Sequence, residues 1–342
     1  MDALKTIAEF IDRINHGDVK GIIALLADNH TFIDAEGVIK NNFQHIVKDW
    51  EDYINTYVHY RIYIRQIFEL EESVAIVGHT TGSHLALSDE VEFHSEGAIW
   101  LVKVAQEKIT HWQIFSDSIE NIKTLRLHEC AERYLPSFMA ATIAKHLDLL
   151  PGGSRMRDVR NVRSYYSHLY RNAPPEIILS IGEYLIFDQG YRLVPYELIY
   201  YHPGTIELLN PSKITALGKG INDWSSSDMF AHYIAGPTWL SDIITDDLID
   251  TWISSPNKWW RRAALVSSIY LHGDIDRMLK YCQLLIGDQE ETIIKAISWV
   301  LREAIRYDRK AVIEFLDKNK NQLAPRIKFE VGVKLETMMK TS

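Results

Sequence analysis

From residue 127 to residue 342 the chain is a succession of helix-sized segments, and this pattern constrains its fold more than any other feature. We count about twelve segments of roughly 10–18 residues with helical spacing of apolar side chains, and no convincing strand. Helix-ending residues lie at the breaks between them, at Gly152-Gly153, Pro174-Pro175, Pro203-Gly204, Gly236-Pro237, Gly273 and Gly287. Helices that pair into units of about 35–40 residues predict an all-α, HEAT-like solenoid over residues 127–342.

The first 126 residues have a different pattern. Apolar residues recur at helical spacing in residues 4–14 and again in 43–53, and β-rich runs follow at 60–68, 74–82, 91–104 and 109–116. Helices followed by consecutive strands predict an α+β domain, residues 1–126, whose curved antiparallel sheet can enclose a pocket. The length of 342 residues also favours more than one domain, because a single core rarely grows that large.

Charge and cysteine content exclude several classes of protein. The net charge of -9 lies entirely in residues 1–128, which hold 11 basic and 20 acidic residues, so that the remainder is neutral. Two cysteines cannot form a disulfide framework, and no cluster has the spacing of metal ligands. No apolar run is long enough to span a membrane, and the N-terminus lacks the pattern of a signal segment. We therefore expect a cytoplasmic protein without a zinc site.

Three motifs in the helical part carry candidate chemistry. In the first, Trp224 and Asp228 lie four residues apart and share one helix face. The second, residues 257–264, contains Arg261 and Arg262 after two tryptophans, and the third, residues 295–303, contains Lys295 and Trp299. Arginines contact phosphates, tryptophan faces attract a cationic ring, and a carboxylate stabilises the charge that develops on a sugar as its glycosidic bond breaks. An arginine-rich stretch precedes them, with Arg155, Arg157, Arg160, Arg163 and Arg171.

These three motifs, in this order, resemble the AlkD family of DNA alkylation-repair glycosylases over residues 129–342. The resemblance implies hydrolytic release of cationic N3- and N7-alkylated purines from double-stranded DNA, without a metal or cofactor. It assigns catalysis to Asp228, with Trp224 and Trp299 against the lesion, and a phosphate contact to Arg262. The further DNA-binding residues expected here are Arg261, Lys295, Arg155, Arg157, Arg160 and Arg163.

The order of elements in residues 1–125 resembles the nuclear-transport-factor-two-like (SnoaL-like) cone. In that family the cone holds a ligand, carries out acid/base chemistry or dimerises. The resemblance therefore implies an unknown small ligand or a homodimer through this domain. The residues expected to line the pocket are His79, His94, Trp100, Trp112 and Asp117.

Alternatives remain open at this stage. Asp228 follows three serines and is also suited to capping a helix, and Trp299 is also suited to a core position. The neutral helical part and the acidic first domain depart from the glycosylase pattern, so a non-catalytic solenoid that binds DNA or a partner is a second hypothesis. A third hypothesis places the chemistry in the cone, on a small molecule.

Overall fold

A computed structural model describes residues 3–95 and 97–339 of the chain. It divides into two compact units, residues 1–162 and residues 163–342. The domain boundary expected after residue 126 stays a prediction, and the first compact unit includes one strand, one complete helix and the first half of another helix that follow this position.

The first unit combines a seven-stranded sheet with helices. Its strands are β1 (Leu26–Ile33), β2 (Ile39–Lys40), β3 (Arg61–Glu69), β4 (Val74–Thr81), β5 (Ala98–Ala105), β6 (Lys108–Ser116) and β7 (Ala131–Arg133). Its helices are α1 (Ala3–His16), α2 (Val19–Leu25), α3 (Phe43–Thr56), α4 (Asp89–His94), α5 (Ile119–Thr124), α6 (Pro136–Asp148) and α7 (Met156–Leu169), the last of which contains the division between the units. The strand order is β2-β1-β6-β5-β4-β3-β7.

One face of this sheet packs on α1 and α3. The apolar stripe of α1 is fully buried, with Ile7, Phe10, Ile11 and Ile14 in a core that also contains Trp100 and Trp112 from the sheet. Apolar residues three and four apart on the helix meet alternate residues on the strands, so both elements contribute one face to the same core. The result is the curved sheet with helices that the sequence predicts.

Three local features differ from expectation. Residues 91–94 belong to helix α4 rather than to a strand, because Ser88 accepts a hydrogen bond from the Val91 amide and caps the helix. Strand β7 lies where only helices were predicted, and it pairs with the edge of β3. Strands β1 and β6 pair in parallel, so the sheet is mixed rather than fully antiparallel.

The second unit is all-helical over its described residues. Its helices are α8 (Pro175–Phe187), α9 (Leu193–Tyr201), α10 (Pro211–Leu217), α11 (Trp224–Phe230), α12 (Gly236–Leu240), α13 (Asp246–Ile253), α14 (Lys258–Ser267), α15 (Ile275–Leu284), α16 (Glu291–Ala304), α17 (Arg309–Lys318) and α18 (Pro325–Met339). Their pairing into HEAT-type repeats stays a prediction.

The predicted break at Gly236-Pro237 is wrong, because a π-helical turn (Ala231–Ala235) carries α11 directly into α12. The proline lies in the first turn of α12, where its missing N–H is tolerated. Among all described residues, no helix combines the length and the apolar character that a membrane span requires.

Candidate functional site

Asp228 lies inside α11 and does not cap it. The N-cap is Asp223, whose carboxylate accepts a hydrogen bond from the Ser226 amide at 2.7 Å. Ser226 completes a capping box, because its hydroxyl oxygen accepts a hydrogen bond from the Asp223 amide at 3.4 Å. The helix N-terminus is thereby satisfied without Asp228. Asp228 lies one turn further on and is only 9% exposed. Its side chain is therefore available for a role that helix capping does not explain.

A two-pronged ion pair holds the Asp228 carboxylate. Arg262, on α14, donates from Nε to Oδ1 and from Nη2 to Oδ2, each at 2.7 Å. Its remaining nitrogen, Nη1, donates to the Thr292 carbonyl oxygen at 2.6 Å at the start of α16. Arg262 is only 6% exposed, so three helices meet around one buried guanidinium. Such paired hydrogen bonds fix both the position and the plane of the carboxylate.

Burial dominates the electrostatics of this carboxylate. Loss of solvent raises the pKa of Asp228 above its ordinary value, and the hydrogen bonds and charge of Arg262 act in the opposite direction. The two side chains therefore meet in a poorly solvated place, where electrostatic interactions are stronger than they are in water.

Arg262 also lines a cavity of about 530 Å³ on the second unit. Four cationic side chains and one carboxylate lie in its wall, beside the apolar side chains of Trp299, Phe329 and Val333. The charged members are Arg262, Lys295, Arg302, Arg326 and Glu330. We call this cavity the cationic groove. Its charge favours an anionic ligand such as a phosphate.

Glu330, the carboxylate in the wall of the groove, forms ion pairs with two of the arginines. Glu330 accepts hydrogen bonds from Arg302, from Arg326 Nε at 2.7 Å and from the Ser298 hydroxyl at 2.6 Å. The Ser298 hydrogen bond, with the two arginines, lowers the pKa of Glu330 below its ordinary value. Phe329, beside it on α18, is 72% exposed. The groove therefore presents an aromatic side chain to solvent next to fixed arginines.

The two predicted tryptophans differ in position. Trp299 lines the groove and packs partly against the core of the unit. Trp224 begins α11 and is 63% exposed, and it is absent from the groove wall. Lys295 lies in the groove wall and pairs with Glu291 at 2.9 Å. The structure therefore brings Arg262, Lys295 and Trp299 to one cavity, and connects Asp228 to it through Arg262.

The other predicted arginines have different surroundings. Arg261 donates to Asp288 at 2.8 Å and to the carbonyl oxygens of Ser255 and Pro256. Arg163 donates to the buried Glu197 at 2.9 Å, and its guanidinium lies 4.6 Å from the centre of the Tyr201 ring. Both arginines are thus engaged within the unit.

Arg155, Arg157 and Arg160 are exposed residues at and after the start of α7, in the first compact unit. A shared phosphate-binding role for them and the cationic groove stays a prediction.

Two of the five predicted residues of the first unit line a cavity, and the other three do not. Trp100 and Trp112 line a cavity of about 410 Å³ between the sheet and α3. Asp117 instead pairs with Arg65 at 2.5 Å, and Arg65 Nη1 lies 3.5 Å from His79 Nε2. Burial, with the positive charge of Arg65, lowers the pKa of His79 to about 4.

His94 is exposed, with its ring centre 5.2 Å from that of His146. His79, His94 and Asp117 therefore do not line the cavity that holds the two tryptophans. In the described part of the chain, no three side chains of His, Cys, Asp or Glu are grouped so that they could hold a metal ion.

Several residues of both cavities were absent from the sequence prediction. Arg326, Phe329, Glu330 and Val333 follow i, i+3, i+4, i+7 spacing on α18, a signal that places them on one helix face. In the first unit the missed wall residues include the aromatic residues Phe32, Trp50, Tyr53 and Tyr60. Their aromatic character indicates burial in the sequence, but not that they face a cavity.

Comparison with known proteins gives separate results for the two parts of the chain. Among curated proteins, none matches its sequence. Among solved structures, the N-terminal part is similar to NTF2-like and SnoaL-like proteins. An NTF2-like protein of unknown function from Cytophaga hutchinsonii has 16% identity, a TM-score of 0.27 and coverage of 37% of this chain and 96% of its own. A SnoaL-like protein of unknown function from Burkholderia thailandensis has 12% identity, a TM-score of 0.28 and coverage of 34% and 95%.

A third similar structure is a protein of unknown function with a cystatin-like fold from Xanthomonas campestris. It has 11% identity, a TM-score of 0.30 and coverage of 36% and 98%.

In the C-terminal part, Asp228, Arg262 and Trp299 all lie within a stretch that matches a known family. Residues 206–334 match the family described as DNA alkylation repair enzyme, which supports a role for this chain in DNA repair.

Proposed function

We propose that the second unit is a DNA glycosylase that hydrolyses the N-glycosidic bond of cationic N3- or N7-alkylated purines in duplex DNA. The observation that carries this proposal is the buried Asp228 carboxylate, fixed by the same Arg262 that lines a cationic groove with Trp299. The family match over residues 206–334 supports it independently.

The proposed chemistry needs few groups. When the bond between the sugar C1′ and the purine nitrogen breaks, its electron pair neutralises the cationic base, so no general acid is required. The positive charge that develops on the sugar is stabilised by the Asp228 carboxylate. Two hydrogen bonds from Arg262 fix the position of this carboxylate before the reaction begins. A water molecule oriented by this carboxylate then bonds to C1′ and releases its proton to solvent.

The groove supplies the remaining interactions. Arg262, Lys295, Arg302 and Arg326 are suited to phosphates of the backbone, which carry most of the affinity of proteins for DNA. The Trp299 ring is suited to contact with the cationic base, an interaction of about 0.5–2 kcal/mol. We assign the exposed Trp224 to the same lesion nucleotide, from outside the groove wall.

A second candidate function is a non-catalytic scaffold that binds DNA or a partner. It is favoured by one observation: both oxygens of Asp228 accept hydrogen bonds from Arg262, an arrangement that a purely structural ion pair would also have. Under this alternative, Asp228 joins α11 to α14 and contributes nothing to a reaction.

Release of base from duplex DNA that contains N7-methylguanine distinguishes the two. We expect wild type and the control Asp317→Asn, an exposed carboxylate on α17 outside the groove wall, to release base at equal rates. Asp228→Asn should lower the rate by about 10²–10³-fold, the usual effect of removing one group that stabilises developing charge. Its affinity for unmodified duplex should stay within about threefold. Duplex binding without release by any of the three proteins would support the scaffold and overturn the glycosylase.

A further inference from the structure

The cavity of about 410 Å³ in the first unit has an aromatic interior. It lies between α3 and the inner face of the sheet, within the volume range of small-molecule sites. Six aromatic side chains line it, namely Phe32, Trp50, Tyr53, Tyr60, Trp100 and Trp112. Aromatic faces carry partial negative charge, so several of them around one space favour a flat ring or an organic cation.

Negative charge is in excess at the wall of this cavity. Its wall contains the carboxylates of Asp34, Glu36 and Asp49, and the ammonium group of Lys40 lies 2.7 Å from Asp49. This pair leaves Asp34 and Glu36 without an opposing cation among the described wall residues. A cationic ligand would balance them, whereas an anion would be repelled.

One polar group of the interior has no protein partner. Tyr60 is 9% exposed and its ring forms part of the wall, and its hydroxyl makes no hydrogen bond to any described residue. Burial raises the pKa of Tyr60 well above its ordinary value, so the hydroxyl stays protonated and can donate. A ligand or a water molecule in the cavity can accept a hydrogen bond from this hydroxyl.

We propose that this cavity binds a planar, cationic heteroaromatic molecule that carries a hydrogen-bond acceptor. The aromatic wall stacks on the ring, Asp34 and Glu36 balance its charge, and the Tyr60 hydroxyl donates to its acceptor. This site is in a different unit from the cationic groove, and the inference does not depend on the DNA glycosylase.

A matched pair of ligands tests the role of charge. Calorimetry with the full chain compares 1-methylquinolinium-3-carboxamide, a planar cation with a carbonyl acceptor, with the neutral quinoline-3-carboxamide. We expect the cation to bind at least tenfold more tightly at low salt, with an advantage that shrinks as salt screens the charges. Equal affinities, or no binding of either ligand by the folded protein, would overturn the proposal.

Two sets of variants test whether the preference for the cationic ligand arises at this cavity. Asp34→Asn with Glu36→Gln removes both carboxylates from positions that are not buried, and the side-chain amide introduced at position 34 keeps an oxygen that can accept from the Val38 backbone N–H. This double variant should lose the preference for the cation and keep its affinity for the neutral ligand. The control is Glu71→Gln with Glu120→Gln, two exposed carboxylates outside the wall, which makes the same change in net charge.

The control should bind both ligands as wild type does, and an equal loss in the control would refute a specific site. Tyr60→Phe should lower the affinity for both ligands by a similar factor, because both carry the hydrogen-bond acceptor. Unchanged affinities in Tyr60→Phe would contradict the role given to the hydroxyl.

Discussion

The pairing of Asp228 with Arg262 predicts a large coupling energy between the two residues. Arg262→Met leaves a buried carboxylate without a partner, and Asp228→Leu leaves a buried guanidinium with only Thr292. Breaking a buried ion pair from one side costs about 3–5 kcal/mol, so we expect each single variant to lower the free energy of unfolding by about 4 kcal/mol. The two changes together remove both charges, so their costs should not add, and we expect a coupling energy of about 3 kcal/mol, the upper end of the usual range for residues in contact.

Denaturant unfolding of the full chain, followed through its helical circular dichroism, measures these free energies. The matched control is the cycle between Lys258 and Glu290, an exposed pair in the same unit at 3.0 Å, for which the coupling energy should be below about 1 kcal/mol. If the coupling energy of Asp228 with Arg262 were as small as that of the control pair, the protein in solution would not have the buried pair of hydrogen bonds that holds the Asp228 carboxylate.

Three further predictions concern packing, protonation and DNA contact. Gly332→Ala should raise the free energy of unfolding by about 0.5–1 kcal/mol, because a Cβ there meets no atom within 4 Å on helix α18. Gly78→Ala should lower it by about 2 kcal/mol or more, because its Cβ would lie 2.1 Å from the Tyr63 carbonyl oxygen, and the same sign in both variants would contradict the structure.

For His79, nuclear magnetic resonance titration, assigned with His79→Gln, should give a pKa near 4, whereas a pKa near 6.5 would refute its burial. Since the unfolded chain binds this proton first, His79 lowers stability as the pH falls from about 6.5 to about 4. Lys295→Gln should reduce the slope of log affinity for duplex DNA against log salt by about one, and the exposed Lys310→Gln should leave it unchanged. Equal slopes in all three proteins would remove Lys295 from the DNA contact.

Periodicity in the sequence predicts the two kinds of architecture, because apolar spacing depends only on local geometry. The spacing of Trp224 and Asp228 likewise places both on one helix, although only Asp228 is buried. Periodicity does not predict the pairing of Asp228 with Arg262, because the two residues are 34 positions apart and meet only when α11 packs against α14. Arg262 was expected to contact phosphate, and the structure adds a contact with the carboxylate that no local pattern indicates.

The face of a strand residue is also hard to predict from sequence. His79 and Thr80 are neighbours on β4, yet only Thr80 lines the cavity of the first unit. A shift of one residue in register exchanges the two faces, and the pairing of β3 with β4 contains an irregularity between Ile64 and Gln66. The sequence identifies the residue types of a pocket, while the register decides which of them enter it.

The measurement that tests the central claim most directly is base release by the wild-type chain under single-turnover conditions. The substrate is duplex DNA with one N7-methylguanine, at low salt and with protein in excess. The account predicts release of free N7-methylguanine at least a hundredfold faster than its spontaneous loss from the same duplex, a modest fraction of usual enzymatic accelerations. Loss of the base at the spontaneous rate, from duplex that the protein demonstrably binds, would contradict the assignment of Asp228 to glycosidic bond hydrolysis.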